Sequence, residues 1–137
     1  MKIKKCAGAI IYNSEGKIFL MTSPKWKGYI IPGGKIENNE TDTEALKREI
    51  NEELQIEITD IKKIDESIKM PSNDFKDPDT KFHFVSFSAR ALQTKITPNE
   101  EILEYGWYTI KEALELPLVD STKSLLKKYI ELKINNS

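Results

Sequence analysis

Gly33–Ile56, GGKIENNETDTEALKREINEELQI, is the stretch from which the rest of the chain is read. On an α-helix each residue advances about 100°, so Leu46, Ile50 and Leu54 fall at roughly 0°, 40° and 80° and form one apolar stripe that must face a core. Glu49, Glu52 and Glu53 fall at roughly 300°, 240° and 340°, beside that stripe, while Glu44, Lys47, Arg48 and Asn51 fill the arc from roughly 100° to 200°. Thr41 followed by Glu44 is a capping box, each side chain satisfying a free backbone N–H at the helix start, so the spacing predicts a helix beginning there.

The spacing of the polar positions is specific. Gly34, Glu40, Arg48-Glu49-Ile50, Glu52-Glu53 and Gln55-Ile56 are separated by five, seven, one and one residues, and this pattern resembles the Nudix box. One position departs: the family has Gly where this chain has Gln55, the residue expected to leave the helix in a left-handed turn that Gly enters without penalty. The flanks extend the likeness. Tyr29–Gly34, YIIPGG, is similar to the family's W-x-L-P-G-G with Tyr for Trp, and EEILEYGWYTIKEAL resembles its closing E-I-x-E-x-x-W strand and short helix.

A row of glutamates on a helix is ordinarily a solvated face, but inside this pattern it reads as a site. Carboxylates crowded within one turn repel one another and call for a cation. Hard oxygen ligands suit Mg²⁺ or Mn²⁺, which typically bridge protein carboxylates to substrate phosphates. The resemblance implies a Mg²⁺-dependent hydrolysis of a phosphoanhydride by water attack at phosphorus. It implies Glu49, Glu52, Glu53 and the Gly34 backbone as metal ligands, with Glu49 a ligand or the general base. Arg48 would orient Glu49, Arg48, Gly33 and Gly34 would meet substrate, and Glu40 would brace the loop against the helix. The expected catalytic set is Arg48, Glu49, Glu52 and Glu53. A further acid from a distal loop is expected among Glu100, Glu101 and Glu104.

The implied substrate is a nucleoside diphosphate linked to another group. Pro71 stands 16 residues after Gln55, a spacing similar to that of ADP-ribose hydrolases; nucleoside triphosphates stay equally open. Two other classes compete. A nucleotide-sensing Nudix domain without catalysis would be favoured by missing acids, and none is missing; an isopentenyl diphosphate isomerase would need a longer chain.

Length and composition set the frame. The 137 residues suit one domain, 1–137, and the balance of 21 basic against 22 acidic residues gives no field that would attract extended nucleic acid. Only Arg48 and Arg90 among the basic residues are arginine, which sets Arg48 apart beside the acids. No apolar run reaches the roughly 20 residues needed to cross a bilayer, and no signal peptide is visible, so a cytoplasmic protein without membrane partners is expected; a homodimer is compatible with all of this. Cys6, the only cysteine, reads as a small buried strand residue.

Along the chain, 3–13 and 17–22 read as a β-hairpin turning at Asn13–Gly16, in which Ala7, Gly8 and Ala9 permit close approach of a backbone or ligand. Trp26 sits in a turn, as a packing residue or a base-stacking one. Tyr29–Ile31 reads as a short strand, 56–70 as a long strand or strand pair with Ile56, Ile58, Ile61, Ile64 and Ile68 on one face, and 71–80 as a loop. Residues 81–92 read as a central strand carrying His83, 102–109 as a strand, and 121–133 as a helix packed on Leu125, Leu126, Tyr129 and Ile130. Strands alternating with two main helices predict a mixed β-sheet between helices; the resemblance implies the same α/β/α sandwich.

Overall fold

The description covers residues 2–69, 74, 76, 77 and 79–135 of a computed structural model. Pro71 and Met70 lie outside the described residues.

Strand β1 (Lys2–Tyr12) turns into β2 (Ile18–Thr22). Asn13 builds this turn: its Oδ1 accepts the Glu15 and Lys17 amides, both at 3.0 Å, and Gly16 takes φ 77°. After a short strand β3 (Gly33–Lys35) comes helix α1 (Asp42–Leu54), then β4 (Ile58–Lys69), β5 (Thr80–Ala91), β6 (Glu104–Tyr108), α2 (Ile110–Glu115) and α3 (Asp120–Asn135). The sheet order is β4-β5-β1-β2-β6, with β3 pairing β1. β1 runs parallel to β5 and antiparallel to β3, so the sheet is mixed.

Side chains alternate across a strand, and β1 shows how this feeds two cores. Ala7, Ala9 and Ile11 face α1, where Leu46, Ile50 and Leu54 are fully buried against them together with Val85 and Phe87. Ile10 faces the other way, into a cluster with Ile18 and Leu20 of β2 and with Ala113, Leu125, Leu126 and Tyr129 from α2 and α3. Each large apolar side chain buried in these layers contributes about 2 kcal/mol. The result is the expected α/β/α sandwich.

Two expectations change. Tyr29–Ile31 forms isolated bridges, Met21↔Ile30 and Tyr29↔Leu118, because the chain is already turning across the sheet toward Gly33; the strand proper is Gly33–Lys35. The isoleucines of β4 do not share a face. Register shifts fall between Thr59 and Lys62 and between Lys63 and Asp65, and Asp60 takes φ 53°. An extra residue at a bulge reverses the alternation, so Ile61 packs on the α1 side, Ile64 on the α3 side, and Ile68 is exposed.

Candidate active site

Helix α1 starts where its sequence predicts. Thr41 Oγ1 accepts the Glu44 amide at 3.1 Å and Glu44 Oε1 accepts the Thr41 amide at 2.8 Å. It ends at Gln55, which takes the left-handed conformation, φ 55° and ψ 43°, and donates its N–H to Asn51 O. The angular order of the acids about the helix becomes their order of burial. Glu53, nearest the stripe, is buried; Glu49 is mostly covered; Glu52, furthest round, is exposed.

One backbone amide and one guanidinium hold the carboxylates. Glu53 Oε1 accepts the Gly33 amide at 2.9 Å. Arg48 forms a fork with Glu40, Nε to Oε2 at 2.6 Å and Nη2 to Oε1 at 2.8 Å, the bidentate geometry in which Arg is strongest. Its Nη1 reaches Glu49 Oε1 at 2.9 Å and Glu52 Oε2 at 3.3 Å, and Nη2 also donates to the Lys35 carbonyl at 3.0 Å. One guanidinium thus ties β3, the following loop and two turns of α1. The glycines are there for room: a Cβ on Gly34 would overlap the Glu49 carboxylate, and one on Gly33 would overlap the Ala7 carbonyl of β1. Gly8 likewise lies under Ile31 and Pro32, so the small residues of β1 serve close backbone approach.

The electrostatics follow from three carboxylates sharing one guanidinium, with a fourth, Glu53, buried beside them. Arg48 beside Glu40 holds that carboxyl down, to about 2. Burial pushes Glu53 up to about 8, with Glu49, Glu101 and Glu52 adding to the rise against the pull of the Gly33 amide. Burial also raises Glu49 despite Arg48. These groups lie close enough to feel one another, yet among the described residues no three His, Cys, Asp or Glu side chains converge as a ready-made metal cage. Glu49 and Glu52 turn to Arg48, and Glu53 to Gly33.

Of the three distal acids, Glu101 raises both Glu49 and Glu53, and Glu100 shares their cleft. Glu104 stands instead on β6 beside Tyr29, 3.5 Å from its hydroxyl. The loop is set by Asn99, which sequence reading passed over: its N–H donates to Glu53 O at 3.0 Å and its Oδ1 accepts the Glu101 amide at 3.0 Å. The cleft has a volume of about 710 Å³ and runs from the acids and Gly33–Gly34 to Trp26, Phe82 and Phe84. Trp26 packs on both phenylalanines, at 5.3 and 6.4 Å between ring centres. Cys6, expected to be buried, is only partly so because its strand borders the cleft, and desolvation pushes its thiol up to about 11. His83 lies outside the cleft on β5, 2.9 Å from Glu66.

A mixed sheet between helices, with a glycine loop feeding an acid-bearing helix, defines the class of Nudix-type α/β/α sandwiches. The NUDIX domain family model matches residues 2–129, and the chain belongs to that family, as a pyrophosphohydrolase by class. Solved structures agree in fold. A MutT NUDIX hydrolase from Burkholderia pseudomallei is 22% identical with a TM-score of 0.78, covering 93% of this chain and 98% of its own. The E. coli ORF135 protein is 26% identical with a TM-score of 0.75, covering 97% and 92%. A MutT protein from Methanosarcina mazei Go1 is 18% identical with a TM-score of 0.75, covering 99% and 96%. No curated protein sequence matches the chain. Among the described residues no helix is long and apolar enough to cross a membrane.

Proposed function

We propose that residues 1–137 act as one domain that hydrolyses a phosphoanhydride in a nucleoside diphosphate linked to another group, a nucleoside triphosphate or an ADP-ribose-like compound, with Mg²⁺ as cofactor. Small cytoplasmic nucleotides, rather than extended nucleic acid or a membrane, are the partners. The observation that carries this reading is the crowding of negative charge on one side of α1: Glu40, Glu49 and Glu52 share the Arg48 guanidinium, and Glu53 beside them, bonded only to the Gly33 amide, is pushed up to about 8.

The donors there are hard carboxylate and backbone oxygens, which suit Mg²⁺ or Mn²⁺. Glu49, Glu52, Glu53 and the Gly34 backbone would hold the ion, with Glu101 as the added acid; bound there, it supplies positive charge against the phosphate oxygens and acidifies water. The chain's own residues do the rest. The Gly33 amide fixes the Glu53 carboxylate, and Arg48 aims Glu49 while its bond to the Lys35 carbonyl keeps loop and helix in register. A Glu49 carboxyl raised by burial is better matched to taking a proton from water near neutral pH than an ordinary glutamate.

The test is hydrolysis of a panel of nucleoside diphosphate compounds with Mg²⁺ in ¹⁸O-labelled water. A nucleoside monophosphate with a second phosphate-bearing product, labelled on one phosphorus only, is expected. Glu49→Gln should remove most turnover while nucleotide affinity stays within about tenfold, because the group lost acts on water. Tight nucleotide binding with no label incorporated from any compound would replace this reading by that of a sensor.

A further inference from the structure

The floor of the cleft is organised in rows that cross the sheet. One row runs Gly33–Gly8–Ser86–Asp65 over β3, β1, β5 and β4, and the next runs Lys35–Cys6–Phe84–Ser67. Adjacent strands are about 4.8 Å apart, so Asp65 stands about 14 Å from Gly33. That is room for a nucleoside whose phosphates lie against the glycines and acids. Phe84 sits between them. Its row neighbours Cys6 and Ser67 are small, its ring is only half-buried, Phe82 lies parallel at 5.0 Å, and Trp26 stands tilted at 39° to it.

Asp65 closes the far end. An aspartate is a poor strand former, yet this one faces an aromatic-lined cleft, and its Oδ1 accepts the Lys128 ammonium of α3 at 2.7 Å. The pair presents an acceptor, Oδ2, beside a donor with further protons. As a strap between helix and sheet it would add little, since half-exposed ion pairs contribute weakly.

Resting on the hydrolase reading above, we infer that this floor is a nucleobase site: the base stacks on Phe84 beside Trp26, and Asp65, held by Lys128, selects bases that carry an exocyclic amino group. A carboxylate accepts from an amino group and repels a carbonyl oxygen in the same place, so the discrimination is between members of matched pairs.

The experiment compares kcat/KM for CTP against UTP and ATP against ITP, pairs that differ by an amino group in place of a keto group. Wild type should favour the amino member of at least one pair by about tenfold or more. Asp65→Asn, whose amide can donate to the keto group, should bring that ratio to within about threefold or invert it, whereas a mere strap would change thermal stability and leave the ratio alone. Phe84→Ala should raise KM about tenfold or more for every base with a smaller change in kcat. Equal turnover within both wild-type pairs, a preference that survives Asp65→Asn, or an unchanged KM in Phe84→Ala overturns the site. Should none of the four be hydrolysed, the hydrolase reading fails separately for triphosphates, and the same ratios measured as Kd by calorimetry decide the base site.

Discussion

The Glu53 carboxylate and the Gly33 amide, 20 residues apart in sequence, meet at 2.9 Å and join the last turn of α1 to the strand that precedes it. One backbone hydrogen bond to a buried carboxylate offsets only part of its desolvation. Glu53 therefore keeps its proton to about pH 8 in the metal-free protein.

This fixes a pH dependence. The unfolded Glu53 carboxyl titrates near about 4.3, so between that pH and about 8 the folded protein holds a proton the unfolded one has lost. Stability then falls as pH rises across the window. Glu49 shifts in the same direction, while Glu40 and Glu66, both held at about 2, are ionised in either state above pH 5 and add no slope. In EDTA, the melting temperature should drop by several degrees from pH 5 to pH 8, and Glu53→Gln should flatten the drop and abolish turnover. Mg²⁺ should raise the melting temperature at pH 8 and far less at pH 5. A metal-free melting temperature that rises toward pH 8 contradicts the burial of this charge.

At the helix exit, Gln55 pays a steric cost for φ 55° while its side chain is exposed. Replacing it by Gly should stabilise the fold by up to about 1 kcal/mol, the relief of the left-handed strain less the extra freedom of unfolded glycine. Urea denaturation reads this directly. An unchanged or lower midpoint would mean that the Gln55 side chain makes a contact worth as much as the strain.

The two glycines of the loop should fail in different ways. At Gly34 an added Cβ meets the far end of the flexible Glu49 side chain, which can swing aside; Gly34→Ala should fold, with kcat down by about a hundredfold through loss of the Glu49 position. At Gly33 it meets the β1 backbone at φ 151°, which cannot move without breaking the β1–β3 pairing; Gly33→Ala should lose at least about 3 kcal/mol of stability. Paired melting and turnover measurements separate the two, and a fully active Gly34→Ala would remove Glu49 from the reaction.

How much was readable in the sequence differs along the chain for physical reasons. Helix α1 was, because its cap, stripe and exit are local: Thr41, Leu46 and Gln55 need only their own turn to be interpreted. The acids' order of burial was implicit in the same wheel. The face of Ile64 was not, because a bulge at Asp60 changes the alternation and no residue type marks it. Nor could Glu101 be told from Glu104, since the choice rests on Asn99 bonding to a backbone carbonyl 46 positions earlier. Phe82 and Phe84 were read as strand residues; that they border the cleft follows from β5 lying beside β1, a pairing between distant segments.

That pairing carries a consequence for how the protein comes into being. Lys2 pairs with Thr80 and Tyr12 with Arg90, so the parallel contact joins the first strand to one about 80 residues later. The chain must close that long loop before the pairing returns any stabilisation, which places such folds among the slower ones. A growing polypeptide released only as far as β4 would already own every acid of α1 and neither of the phenylalanines that pack on Trp26. Chemistry and selectivity thus come together only once β5 is in place, and a chain ended before Thr80 should neither turn over nucleotides nor show native-like melting.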